Sequence, residues 1–366
     1  MRRGTNTPLA WIIELRSYGM QLALTLSSDG NVSWMDNNTI TLGSIVLLIS
    51  SLRNAIQRLS YDTDQLLRKQ LLFGFTVPAY NLNRVVDYKY SITPGFSFLD
   101  FSNNGLRTTP DGQPRQRWLF SSISGDRKLS KEFFHYIDVY QGLSDESERP
   151  SLKVHTVRAY LEDVQQFLAN LSVLCHLTSG QPARSTELFT IKHRNPYDIG
   201  KRNIFFENGL IAIQTLYGKG NSTISRPDIR MVWRFLPRTV TEILFYYLWL
   251  VLPWIEFLET QNYSSITLDD HLWPESLGDK QIFGVDQFRT NFACTMQEYT
   301  GSKIPIAAWR HLAIAIGRSL LPKNAQFIVA SSTNEEDSAS RTDEVFDLQA
   351  GYSSYVVNLV YRREAG

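Results

Sequence analysis

From Ser44 to Phe73 the apolar residues Ile45, Leu48, Ile49, Leu52, Ile56, Leu59 and Leu66 recur at helical spacing. This predicts one long helix or two, with Ser44 as N-cap and Gly74 as the stop. The aliphatic stretch 8–26 predicts an earlier helix closed by the Asp29-Gly30 turn, and 31–41 a hairpin or loop. Residues 76–130 show no period; Pro78, Pro94, Pro110 and Pro114, with many Gly, Ser and Asn, make them irregular. A helix is predicted over 131–141, and the charged segment 142–151, ending in Pro150, places the main domain boundary there.

In the second half, residues 153–177 are strongly helical and stop at Thr178-Ser179-Gly180. Pro182 suits a first helical position and predicts a helix to about Lys192. Segments 203–207, 210–216 and 230–235 alternate or run apolar, with turns at Asn208-Gly209 and Gly218–Asn221. Asn-Gly between apolar runs is a hairpin signal, so a three-stranded antiparallel sheet is expected. Helices over 239–260, 285–299 and 306–320 follow, then an acid- and Ser/Thr-rich loop at 331–345 and a short helix at 353–362. No internal repeat is visible. The expected class is mainly α with a small antiparallel β-sheet (α+β), in two domains, 1–150 and 151–366.

Composition narrows the chemistry. With 43% apolar and 12% aromatic residues, large cores are possible. Two cysteines, Cys175 and Cys294, exclude a disulfide scaffold, and no zinc-ligand spacing occurs. A GxxxxGK[ST] loop is absent, so the chain is not itself a helicase motor. Met1-Arg2-Arg3 is followed by polar residues rather than the apolar run of a secretory signal. Between Glu242 and Glu256 lie thirteen uncharged residues interrupted by Pro253. A membrane span needs about 20, so a buried core helix in a soluble, intracellular protein is expected. The net charge of +1 hides a local excess: residues 181–240 hold ten basic and four acidic side chains. Such an excess suits a phosphate-rich partner, or a solvated face.

Four pieces of the second half fall in one order: Ala183-Arg184-Ser185-Thr186-Glu187-Leu188, then Gly218-Lys219-Gly220-Asn221, then Trp309-Arg310-His311, then Gly351-Tyr352-Ser353-Ser354 with Tyr361 beyond. Singly, each has a plainer reading. Arg184 can pair with Glu187 on its own helix, Lys219 can be a solvated turn residue, Arg310 can stack on Trp309 and Tyr361 can close a core. Together they resemble the tyrosine recombinase (phage-integrase-like) family, over about residues 150–366. That family orders an Arg-x-x-Glu box, a lysine in a β-hairpin turn, a His-x-x-Arg-His box, a Gly-His-Ser-Ser box and a nucleophilic tyrosine. Gly180-Gln181-Pro182-Ala183-Arg184, Tyr247–Pro253 and Leu348-Gln349-Ala350-Gly351 also resemble Crypton-type transposon recombinases and the recombinase-like region of fungal telomere-linked RecQ-like helicase proteins.

The resemblance implies cleavage and rejoining of double-stranded DNA through a 3′-phosphotyrosine, in the nucleus, with no cofactor or metal. A homo-oligomer on DNA is a further option, and no membrane is involved. Arg184 and Arg310 would clamp the non-bridging phosphate oxygens. Lys219 would protonate the leaving 5′-oxygen, and Tyr361 would attack. Glu187 would orient the first arginine and His311 would pack beside the phosphate. Two positions depart: Ala307 stands where the family has the first His of its box, and Tyr352 stands for the His of Gly-His-Ser-Ser, where a phenol still donates one hydrogen bond. The chain ends five residues beyond Tyr361, where the family often carries another helix, so a fragment or short variant is expected. The alternatives are a catalytically degenerate DNA-binding module associated with a helicase-like protein, and a purely structural domain. Lys192, Arg194, Lys201 and Arg202 are candidate DNA contacts or an ordinary loop, and Arg115, Arg117 and Trp118 are similarly open. His135, His155, His176, His193 and His271 are read as structural or surface residues.

Overall fold

The computed structural model describes residue 15 and residues 32–109, 112, 114–135, 151–198, 200–217, 230–262, 269–278, 280–281 and 284–320. The segments expected at 8–26, 331–345 and 353–362, and the helix expected over 136–141, lie outside the described residues, as do Lys219, Tyr352 and Tyr361. Contacts divide the chain into two compact units. Unit 1 comprises residues 1–55, 181–183 and 292–366, and unit 2 comprises residues 56–180 and 184–291. The fold is α+β, with helices and small antiparallel sheets.

Unit 1 begins with a three-stranded antiparallel meander, β1 (Val32–Trp34), β2 (Thr39–Leu42) and β3 (Ile45–Leu48). Asp36 shapes the first turn by accepting the Asn38 N–H at 2.6 Å and the Thr39 hydroxyl at 2.9 Å. The helix expected from Ser44 starts later, at α1 (Ile49–Gln65), because residues 45–48 pair with 39–42 as a strand. Its cap is Asn38, not Ser44. The Asn38 carbonyl accepts from Ile49 N–H at 2.8 Å and its side-chain oxygen from Ser50 N–H at 2.9 Å. Residues 49–55 of α1 belong to unit 1 and the remainder to unit 2. Later in the chain come α8 (Val285–Thr300), whose residues from Phe292 onward belong to unit 1, and α9 (Ile306–Leu320). Helix α9 packs on β1 and β2, and Trp309 meets Phe292 at 6.4 Å between ring centroids.

Unit 2 is organised around α4 (Val154–Thr178), which the sequence pattern predicted almost to the residue. Leu168, Leu171, Val173 and Leu174 are all fully buried, so apolar contact surrounds the end of this helix rather than one stripe. Gly74 is the stop expected after residue 73: it has φ +74°, and its N–H reaches Arg68 O at 2.8 Å. Within the stretch expected to be irregular, α2 (Arg115–Gly125) and α3 (Arg127–Phe133) form. Helix α2 buries Trp118, Leu119 and Ile123, and Asp126 caps α3 by accepting from Lys128 and Leu129 N–H, each at 2.9 Å. Beyond it, Phe134 bridges to Leu152 and His135 N–H reaches Ser151 O at 2.8 Å. The segments flanking 136–150 thus belong to one unit, and the compact units do not follow a division at 150.

The expected sheet is present as β4 (Ile204–Glu207), β5 (Leu210–Tyr217) and β6 (Arg230–Phe235), antiparallel and in that order. Asn208 and Gly209, both at positive φ (51° and 79°), make its two-residue turn. The apolar run that follows forms α6 (Arg238–Tyr246), a π-helical stretch (Tyr247–Val251) and α7 (Leu252–Asn262). Pro253 has no N–H to continue the ladder, and Leu252 N–H bonds to Tyr247 O in the widened register. The segment Arg238–Gln261 is long and apolar enough to span a membrane by length and composition. However, 78% of its most apolar window is buried inside the protein, and Trp249 is fully enclosed.

Candidate functional site

Arg184 does not open a long helix. The helix expected over 182–192 is the single turn α5 (Ser185–Leu188). It is short because the following residues pair elsewhere: His193 N–H bonds to Asp270 O at 2.9 Å and Leu272 N–H to Ile191 O at 2.8 Å. Arg184 is its N-cap, in extended conformation. The Glu187 carboxylate returns to accept the Arg184 N–H at 3.2 Å and lies 3.8 Å from the guanidinium Nε. The helix N-terminus itself accounts for this, since an acid at the third position satisfies an orphan donor. Glu187 is therefore paired with Arg184, whose side chain is 41% exposed against 15% for Glu187.

Strands β5 and β6 pair as far as Tyr217 with Arg230. Lys219 belongs to the twelve-residue connection between them, longer than the tight turn expected at 218–221. In unit 1, Arg310 and His311 are half-buried neighbours on α9, and Ala307 is exposed one turn earlier. Burial lowers the His311 pKa and the adjacent Arg310 charge lowers it further, so its imidazole is neutral at neutral pH. Arg184 is thus brought to Glu187 within unit 2, and Arg310 to His311 within unit 1.

Two of the four candidate DNA contacts are structural. The Arg202 guanidinium is 1% exposed and paired with the fully buried Asp87. Arg194 is 13% exposed and bonded to Glu256 and Asp270, each at 2.5 Å. The Arg202 guanidinium is spent on a buried carboxylate and that of Arg194 on two partly exposed ones, which leaves little of either for a DNA surface. Arg234 is also buried, its guanidinium donating to the Thr215 hydroxyl. Among the described basic residues of 181–240, Arg202 and Arg234 are therefore buried and Arg194 is largely covered. Lys201 is exposed, and Lys192 is half-buried beside the Lys192–His271 bridge. Arg115 pairs with Asp100 at 2.6 Å and Trp118 is core, so these two are structural as well.

Sequence reasoning missed an acidic pocket in unit 2, lined in part by Tyr247, Glu256, Glu259, Asp269 and His271. Asp269 and His271 bond at 2.7 Å. Hydrogen bonding to Asp269 raises the His271 pKa, against a smaller opposing effect of burial. The available signals were a glutamate inside an apolar run and the consecutive Asp269-Asp270-His271. Among the described residues, no group of three or more His, Cys, Asp or Glu is arranged to hold a metal ion. No family model matches the chain, and neither does any curated protein or solved structure.

Proposed function

We propose that the chain is a tyrosine-recombinase-like protein that binds duplex DNA and exchanges strands through a phosphotyrosine. The observation that carries this reading is the order of elements around the basic residues. Arg184 caps a helix and is held by Glu187; a β-hairpin then carries Lys219 in its connection; a helix then presents Arg310 and His311. This is the order in which the resemblance places a first arginine, a lysine between two strands and a second arginine on a helix. The roles follow from the charge that develops on phosphorus. Arginine donors aimed at the non-bridging oxygens stabilise it, a lysine delivers the proton to the leaving oxygen, and Tyr361 supplies the nucleophile.

A second reading is a DNA-holding module without cleavage. It is favoured by Ala307, which leaves an exposed methyl where an imidazole would accept the tyrosine proton, and by Tyr352 in the last box. One gel assay separates the two. A nicked suicide duplex incubated with the chain, without metal or ATP, should yield a covalent adduct that Tyr361→Phe abolishes. An adduct that survives Tyr361→Phe but disappears in Tyr352→Phe would assign the other tyrosine. Absence of adduct, even in Ala307→His, would leave the binding module.

A further inference from the structure

Among the described residues, four tyrosines stand well exposed, and three of them gather on unit 2. Tyr88 and Tyr90 lie on a turn closed by the Ser91 N–H on Tyr88 O at 3.2 Å, and are 52% and 79% exposed. Tyr197, 75% exposed, belongs to a loop fastened to that turn by the buried Asn195. The Asn195 side-chain amide donates to Ser91 O and Thr93 O, each at 3.0 Å. Its backbone bonds to Gly95 N–H and Phe96 O at 2.8 and 2.9 Å. Tyr197 crosses Gly95, where an added Cβ would lie 3.2 Å from the phenol oxygen. The rings therefore project from a fixed frame rather than from loose chain.

Tyr88 and Tyr90 meet edge to face, with centroids 6.4 Å apart, and Ile92 beside them is 76% exposed. Apolar side chains gathered on a surface mark a place of contact. The charges around them indicate with what. Lys89 is paired with Glu207 at 2.7 Å, and Asp87 is enclosed with Arg202. Arg84 and Lys201 are exposed at the outer ends of the two segments, and no ion pair among the described residues takes up either. Asp198 is the one exposed carboxylate within 84–92 and 195–202.

Open aromatic rings flanked by free cations suit a chain that alternates flat bases with phosphates, and whose bases are unstacked. A duplex hides its base faces, so it cannot use the rings. The exposed Ile92 side chain favours thymine, whose methyl group uracil lacks. We infer that this face of unit 2 binds single-stranded DNA, with bases stacked on Tyr88, Tyr90 and Tyr197 and phosphates against Arg84 and Lys201. The inference rests on this face and not on strand exchange.

The test is fluorescence anisotropy of the full chain with a labelled oligothymidylate of about 15 nucleotides, near the upper site size of single-strand binders. An oligouridylate and a blunt duplex of the same length are run beside it. The expected result is saturable binding of oligothymidylate, tighter than that of oligouridylate. Tyr90→Ala and Tyr197→Ala should each weaken it about fivefold to 150-fold, the loss of one stacked base. Tyr90→Phe, which keeps the ring, should retain affinity, and so should Tyr61→Ala, which removes the exposed tyrosine of α1. Arg84→Ala should lower the slope of log K against log salt by about 0.7. Duplex affinity should be unchanged in Tyr90→Ala, and circular dichroism melts confirm that the variants fold. If no duplex adduct forms while these results hold, strand exchange falls and the single-strand face stands. No binding of oligothymidylate at low salt, unchanged affinity in folded Tyr90→Ala and Tyr197→Ala, an equal loss in Tyr61→Ala, or equally tight oligouridylate would each overturn the assignment. Self-association of the chain that Tyr90→Ala abolishes in sedimentation would also overturn it, giving the face to a second copy.

Discussion

Arg202 and Asp87 form an ion pair sealed from water, with side chains 1% and 0% exposed. The second Asp87 oxygen accepts the Phe206 N–H at 3.0 Å, and Arg202 Nε–H donates to Ile204 O at 3.0 Å. The Phe96 and Phe205 rings lie 5.1 and 4.8 Å from the guanidinium carbon. The pair thereby fastens the segment around Asp87 to β4. Such a pair contributes little net stability, because desolvating two charges offsets their attraction, but breaking it strands a charge.

Asp87→Asn is therefore expected to cost about 3–5 kcal/mol, since Arg202 keeps its charge and loses its counterion. Urea unfolding followed by circular dichroism measures this. The double variant Asp87→Leu with Arg202→Met should recover most of the loss. A midpoint unchanged in Asp87→Asn would show that the pair is hydrated in solution.

Stability should fall in mild acid because of His193. Burial, and next the Arg194 charge, hold its pKa near about 3 in the folded chain, against about 6.5 when unfolded. Between these values the unfolded state binds one more proton, so stability falls as pH falls, by about 1.4 kcal/mol per unit. His193→Gln should flatten the profile by that slope across pH 6 to 4; an identical slope would place the titration elsewhere.

His271 acts in the opposite direction. Hydrogen bonding to Asp269 raises its pKa, so its contribution is complete below about pH 6.5 and is lost as pH rises through the folded value. Both partners are more than a third exposed, which keeps the effect within about 1 kcal/mol. An NMR titration midpoint for His271 above the free imidazole value checks it, and a midpoint at or below that value would count against the pairing.

If the chain cleaves DNA, Arg184→Ala and Arg310→Ala should each lower the cleavage rate by on the order of 100–1,000-fold while affecting binding less, because their charge is needed most in the transition state. Single-turnover adduct formation beside a gel-shift titration separates the two quantities. Equal losses in rate and affinity would make both arginines plain backbone contacts.

DNA binding should weaken steeply with salt, each phosphate contact adding about −0.9 to the slope of log K against log salt. Exposed Lys201 is the informative position: Lys201→Ala should remove about one such increment. Arg202→Met, with Asp87→Leu to keep the fold, should leave the slope unchanged. A slope near zero for the parent chain would favour a purely structural role.

Helix α4, the Asn208-Gly209 hairpin and helices α8 and α9 were legible in the residues themselves. Each is set by local physics: the period of apolar positions, or a turn whose positive φ values Asn and Gly tolerate. The beginning of α1 was not legible, because its cap is Asn38, which reaches Ile49 and Ser50 only once the β1–β2–β3 meander is folded. The helix expected from Pro182 stopped after one turn for a similar reason: Ile191 and His193 exchange helical bonds for pairing with residues about 80 positions later. At the candidate sites the same division holds. Arg184 and Glu187, three residues apart, could be paired by spacing alone. That Arg202 is interior and Arg194 largely covered, and that Tyr247, Glu256 and Asp269 share one cavity, was decided only by tertiary burial, which spends charges on partners far along the chain and leaves no trace in local spacing.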